Sequence, residues 1–421
     1  MKPLKNIAYI DNKMFVEQVL LSQIAQSVDT PFYCYSSADI ENNYLAYKDA
    51  FSNQNTLICY AAKANSNQAV LNTLAKLGSG ADVVSEGEIR RALAAGIEPS
   101  KIVYSGVAKK EREIAYALTH GIFQFNVESE PEVQSISKVA SSLALTANIA
   151  FRINPDVTAN THAKITTGKA ENKFGIPITK AREIYKAASL LPNINIQGVD
   201  VHIGSQILDI APFGLAFKKI ATLVDNLKKD GHNITVVDIG GGLGIKYSEK
   251  ETKPDVNAYA QLAYKHLNRL NCTIVVEPGR SIIGNAGVLV TEVVYLKKGE
   301  NREFLILDAA MNDLIRPSMY EAYHDILPLS VSEKTNATYD IVGPVCETGD
   351  TFGKNRVIAQ CKTGDLVAIM SCGAYGSVMS STYNTRMLAP EVLVKADQFA
   401  VVRKRLSYDD VIGLDTVPDW D

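Results

Sequence analysis

The sequence predicts an α/β fold built as a (β/α)8 barrel and joined to a second, all-β domain. Three observations lead there. Short apolar or β-branched runs alternate with stretches of helical period from residue 57 to 278; the texture turns strand-rich after Arg280; and several runs end in reactive or anion-binding residue types.

In chain order the runs are LICYAA (57–62), ADVVS (81–85), KIVYS (101–105), FQFNV (123–127), IAFRI (149–153), GVDVHI (198–203), TVVDIG (235–240) and TIVVEP (273–278). Helical segments separate them. In EGEIRRALAAG (86–96), Ser85 reads as the N-cap, Glu88 follows three residues later, and Gly96 stops the pattern. Eight β/α units within about 220 residues suggest closure into a barrel, with an open doubly wound sheet as the alternative that strand counting leaves standing. The later segments VLVTEVVYL, FLILDA, YDIVGPV, LVAIMSC, EVLVKA and QFAVV lack a matching series of helices and read as an all-β domain, which the first 30 or so residues are expected to join.

Composition narrows the function. The chain has 421 residues, enough for two domains, with 46% hydrophobic and 21% charged residues and a net charge of -3. Its 43 basic residues are balanced by 46 acidic ones and scattered, so no nucleic-acid footprint is expected and small molecules are the expected partners. No apolar run approaches the ~20 residues of a bilayer span, and residues 1–11 lack the apolar core of a secretion signal, so a cytoplasmic protein with no membrane partner is expected. Six scattered cysteines form no CxxC pair or Cys/His cluster, which argues against a disulfide framework and against a metal site. Five read as buried small hydrophobes; Cys346 is treated apart.

In a barrel the functional groups sit where strands end. The first run leads into Lys63, the sixth carries His202, the seventh ends in Gly240-Gly241-Gly242, and the eighth in Glu277-Pro278-Gly279-Arg280. Glycines after strand 7, with the loop after strand 8, occupy the usual phosphate region of such barrels. A lysine desolvated at a strand terminus has the chemistry for a covalent bond to a carbonyl cofactor, and a carboxylate such as Glu277 could hold a pyridine nitrogen protonated. Taken singly, each also has an ordinary reading: a solvated loop lysine, a turn, a salt-bridged glutamate.

The segments YAAKAN (60–65), DVVSEGEIRRALAAG (82–96), KFG (173–175), HIGSQI (202–207), DIGGGLG (238–244), EPGRS (277–281), RPSMY (316–320), GPVCETGD (343–350) and AYG (374–376) together resemble the diaminopimelate decarboxylase family of lysine biosynthesis, in order and along nearly the whole chain. The resemblance implies pyridoxal-phosphate fold type III, with a barrel over residues 30–280 and a β domain from 1–29 plus 281–421. It implies that Lys63 carries the cofactor, that His202 lies against its ring, and that Glu277 binds the pyridine nitrogen. Gly241, Gly242, Gly279, Arg280 and Tyr375 would hold the phosphate, with Ser205 near it. Arg280, Arg316, Tyr320 and Tyr375 would contact substrate, Glu347 would meet its distal ammonium, and Cys346 would stand near Cα to protonate it. The CETGD loop would reach the other subunit of a homodimer with shared sites.

Asp82, Arg152 and Lys173 are expected to support the site, and His324 to stand behind it. Residues 156–172, polar and rich in small side chains, read as a loop over the site. The rivals are a decarboxylase of ornithine, arginine or carboxynorspermidine on the same fold, and a non-catalytic carrier of pyridoxal phosphate. An Arg/Tyr set for a second carboxylate argues against the first, and the β domain with its CETGD loop against the second.

Overall fold

The computed structural model describes residues 6–158, 173–331 and 335–420; most of the 156–172 loop lies outside them. By contacts the chain divides into two compact units, one taking in Met1–Ile40, Lys246–Glu251 and Ile283–Asp421, the other Glu41–Ile245 and Thr252–Ile282.

The second of these is the barrel. Its strands are β1 (Thr56–Ala61), β2 (Gly80–Val83), β3 (Ile102–Tyr104), β4 (Gln124–Val127), β5 (Ala147–Asn154), β6 (Ile194–Asp200), β7 (Val236–Asp238) and β8 (Thr273–Val276). Each pairs in parallel with the next, and β8 pairs with β1 through Val276 opposite Ile58, which closes the ring and excludes the open sheet. The run at 198–203 is shorter as a strand than its composition suggests: β6 ends at Asp200 and leaves His202 beyond it.

Helices cover the outside, among them Glu86–Ala94, where Ser85 Oγ accepts the Glu88 amide at 3.2 Å. The Glu88 carboxylate reaches back one residue further than a capping box requires, to the Val84 amide at 2.8 Å.

Strand periodicity explains the interior. Residues two apart share a face, so the apolar Val236 and Val275 are followed on the same side by Asp238 and Glu277. An apolar layer of Cys59, Val103, Val236 and Val275 thus gives way to buried Asp82, Asn126, Arg152, Asp200, Asp238 and Glu277 towards the carboxyl ends.

The other unit is a mixed β-sheet. Strand Phe32–Ser36, from the start of the chain, lies between Gly287–Lys298 and Glu391–Lys395, so both chain ends build one sheet. Its core gathers Phe32, Cys34, Val288, Val290, Ala368, Met370, Val392 and Val394 with Met14, Val16 and Ile24 from the N-terminal segment. The six cysteines are free: Cys34, Cys59, Cys361 and Cys372 buried as expected, Cys272 only half-buried, Cys346 exposed. No helix among the described residues is long and apolar enough to cross a membrane.

Candidate active site

Lys63 sits in the helical turn Ala62–Ala64 just past β1. Its Nζ lies 2.6 Å from Asp82 Oδ2, with the lysine side chain 35% exposed and the aspartate fully buried. The register explains the meeting, because Ala61 pairs with Asp82 across β1 and β2. The expected desolvated amine is therefore an ion pair, and freeing it for covalent chemistry requires another group to meet the Asp82 charge.

Asp200 and Asp238 are direct register partners on β6 and β7, which sets two carboxyls side by side, and Glu277 completes a group whose oxygens lie within 4.8 Å of one another. Asn126 Nδ2 donates to both Asp238 Oδ2 (3.1 Å) and Glu277 Oε1 (3.2 Å). Like charges so placed cannot all persist out of water. Burial, then the charges of Asp238 and Asp82, push the Glu277 carboxyl well above its usual range, with Lys63 partly opposing. Asp238 is raised by burial and by Asp200; Asp200 by burial and Glu277. The group holds its protons to higher pH than isolated carboxyls do. Three buried carboxyls can also be the makings of a metal centre, but here an amide donor already serves two of them.

His202 accepts the Gly241 amide on Nδ1 at 3.2 Å, which leaves the ring proton on Nε2. Burial, then the Arg152 and Lys63 cations, hold the imidazole well below its usual range, so it is a flat neutral ring. The glycines after β7 are sterically required. A Cβ on Gly241 would stand 2.1 Å from the Glu277 carbonyl oxygen, and Gly242, at φ +105, would meet the Gly204 carbonyl. Gly241→Ala is accordingly expected to destabilise the protein by about 1–3 kcal/mol in urea denaturation. Gly279 packs against Ala61 and Ala64, and the buried Arg280 donates through Nη2 to Ser205 Oγ at 3.1 Å.

Arg152, buried, donates to Glu128 Oε1 at 2.8 Å and lies over Phe174; Lys173 is exposed beside the same ring. The sequence reading passed over Asn126, Glu128, Asp200 and Asp238. Asp238 carries one signal that was available: a lone polar residue ending an otherwise apolar strand.

The other candidates belong to the β unit. Arg316 opens the short helix Arg316–Tyr320 and is buried, while Tyr320 is half-buried. Cys346 and Glu347 are exposed on a loop anchored by Asp350, which accepts the Val345 and Met311 amides at 2.7 Å each. Glu347 accepts from the Tyr383 hydroxyl at 2.6 Å. Tyr375 is held at φ +56, a left-handed conformation that a tyrosine rarely adopts.

Residues 37–284 match the family described as pyridoxal-dependent decarboxylase, pyridoxal binding domain. The chain is 48% identical over 408 residues to the diaminopimelate decarboxylase of Vibrio cholerae, covering 97% of each. The chain belongs to the diaminopimelate decarboxylase family. Two solved members superpose closely: the Helicobacter pylori enzyme complexed with L-lysine at TM-score 0.91 and 44% identity (94% of this chain, 98% of that one), and the M. jannaschii enzyme with L-lysine at 0.94 and 36% (98% of each).

The family is pyridoxal-dependent, and the residues of this chain fit that cofactor. Asp82 Oδ1 is buried with no hydrogen-bond partner among the described residues, beside the amine a covalent cofactor needs. A buried carboxyl able to give a ring nitrogen its proton and then accept the N–H, a flat neutral imidazole to lie against a ring face, and an Arg-Ser pair beside closely packed glycines as donors to a phosphate fit the cofactor's three parts.

Proposed function

We propose that this chain decarboxylates one end of meso-2,6-diaminopimelate, using pyridoxal 5'-phosphate and releasing L-lysine and carbon dioxide in the cytoplasm as the last step of lysine biosynthesis. The observation that carries this reading is the Lys63–Asp82 pair beside the proton-retaining Glu277, in a chain that matches diaminopimelate decarboxylases end to end.

In this reading Lys63 holds the cofactor and His202 backs its ring. Ser205, Gly241, Gly242, Gly279, Arg280 and Tyr375 receive the phosphate. When bound, the cofactor supplies an electron sink for the pair left at Cα as carbon dioxide departs. Glu277 keeps a proton at the ring nitrogen, where it favours that sink. Arg280, Arg316, Tyr320 and Tyr375 hold the substrate carboxylates and Glu347 the distal ammonium, by charge-assisted hydrogen bonds that orient the end to be cleaved. Cys346 moves a proton to Cα.

The working unit is a homodimer with shared sites. Supporting this, Cys346 and Glu347 are exposed on a loop whose base Asp350 ties down. If the sites are shared, Lys63→Ala and Glu347→Ala chains, each inactive alone, should regain part of the activity when mixed.

Carbon dioxide release from meso-diaminopimelate, L-ornithine, L-arginine and carboxynorspermidine, measured in parallel, tests the substrate. Preference for diaminopimelate with L-lysine as product is expected. Preference for a substrate without a second carboxylate would overturn the roles of Arg316, Tyr320 and Glu347, and release from none would favour a cofactor carrier.

A further inference from the structure

Strand β4 carries two fully buried amides, Gln124 and Asn126, two residues apart and so on one face of the strand. A backbone carbonyl fixes which way they point. Gln197 Nε2 lies 3.3 Å from the Phe123 carbonyl oxygen, which can only accept, so this end of the Gln197 amide is its donor. The same Nε2 donates to Gln124 Oε1 at 3.1 Å, and Gln124 Nε2 in turn donates to Asn126 Oδ1 at 2.9 Å. This run of amides leaves the NH2 of Asn126 directed at Ser105 Oγ (3.3 Å), Asp238 Oδ2 (3.1 Å) and Glu277 Oε1 (3.2 Å).

That orientation limits where a proton can sit. An NH2 only donates, so Asp238 Oδ2 and Glu277 Oε1 both accept from it. Asp238 Oδ1 accepts the Gly240 amide at 2.9 Å as well. Asp238 is thus met by an N–H at each oxygen and Glu277, among the described residues, at one, which favours the charge on Asp238 and the proton on Glu277. Burial raises both carboxyls; a hydrogen bond to Asp238 adds to the rise of Glu277, while the Asn126 amide draws Asp238 back down. Lys63, Asp82, Arg152 and Asp200 act on Glu277 through their charges, and the Cys59 thiol and Tyr259 phenol near it are raised by burial.

We propose that Asn126 is a positioning residue: its amide holds Asp238 and Glu277 as one proton-sharing pair and stabilises Glu277 as a carboxylate once that proton has passed to the ring nitrogen. The inference rests on the reading of Glu277 as the partner of the pyridine nitrogen. A cation in place of Asn126 would strip the proton from the pair before a ring could receive it. A neutral amide donates to a carbonyl oxygen and to a carboxylate alike, so it serves Glu277 before and after the transfer.

The test compares Asn126→Leu with the parent in two states. In the cofactor-free protein, infrared titration follows the protonated-carboxyl band that Glu277→Gln removes. Loss of an N–H bond to a charged group should keep that band to a pH about 1–2 units higher in Asn126→Leu. In the holoenzyme, loaded with cofactor labelled at the pyridine nitrogen, ¹⁵N NMR reads the ring proton directly. Asn126→Leu should move that signal towards the unprotonated ring and lower kcat for diaminopimelate by about 10- to 100-fold, with little change in KM. Asn126→Leu/Asp238→Asn, which returns an amide to the side of Glu277, should recover most of the signal and of kcat.

An unmoved band in Asn126→Leu, or a kcat loss that the double variant leaves in place, would overturn the positioning role and make Asn126 a packing residue. A moved band with an unmoved ring signal would instead take Glu277 away from the ring nitrogen, the reading on which the proposal rests. Should Asn126→Leu not fold, neutron diffraction from cofactor-free crystals of the parent decides. Deuterium on Asn126 Nδ2 directed at both carboxyls, and on Glu277 rather than Asp238, supports the proposal; an amide turned the other way, or the deuteron on Asp238, overturns it.

Discussion

Replacing Lys63 by alanine is expected to lower carbon dioxide release by at least about 10³-fold, because in the proposed arrangement it would remove both the covalent hold on the cofactor and an amine able to move protons at the reacting carbon. The substitution also has a structural consequence. Asp82 is fully buried, and its Oδ2 meets the Lys63 ammonium at 2.6 Å, so alanine leaves a buried carboxylate stripped of that cation. A stability loss of about 1–3 kcal/mol is expected from that alone. Lys63→Ala/Asp82→Asn separates the effects: it should regain the stability in urea denaturation and none of the turnover. A single variant turning over at the parent rate would remove Lys63 from the chemistry.

The two-unit plan was legible because barrel strands repeat a coarse signal, an apolar run followed by a helical stretch, and the β domain lacks it. Residues at strand ends were legible for the same reason. Lys63, the three glycines and Glu277 end runs that could be counted. What could not be read was which residues face one another. Asp200 stands beside Asp238 only because β6 and β7 pair in that register, and Asp82 meets Lys63 only because β1 and β2 do. No spacing along the chain encodes those distances.

For the same reason the sequence suggested a desolvated lysine where the fold makes an ion pair. It could not announce that Tyr247, in the segment Lys246–Glu251 that belongs to the β unit, packs with Arg316 and His324 of that same unit. His324 reads from the sequence as a residue standing behind the site, and its contact with Arg316 at 2.8 Å is what the fold adds.

Glu277→Gln should produce two effects of opposite sign. Turnover is expected to fall by about 10²-fold, the scale associated with losing one preorganised electrostatic contact to developing charge, since in the proposed arrangement an amide could not keep an ionisable proton at the ring nitrogen. Stability of the cofactor-free protein should move the other way. Burial and the neighbouring Asp238 and Asp82 raise the Glu277 carboxyl above its unfolded value. Below the ordinary carboxyl range, both native and unfolded chains are protonated there, and glutamine is a near-isosteric replacement. As pH climbs past that range, the unfolded chain sheds a proton that the native chain keeps, and the parent loses stability at a slope of at most about 1.4 kcal/mol per pH unit for one proton. The loss continues until the raised native value is reached. Glutamine has no such proton, so the variant's advantage in urea denaturation should be near zero in acid and widen through neutral pH. An advantage that did not grow with pH would sink the account of a proton-retaining carboxyl, and parent-like turnover with cofactor bound would sink its place at the ring nitrogen. Both effects together would mean that the chain keeps a destabilising buried acid because the reaction requires it.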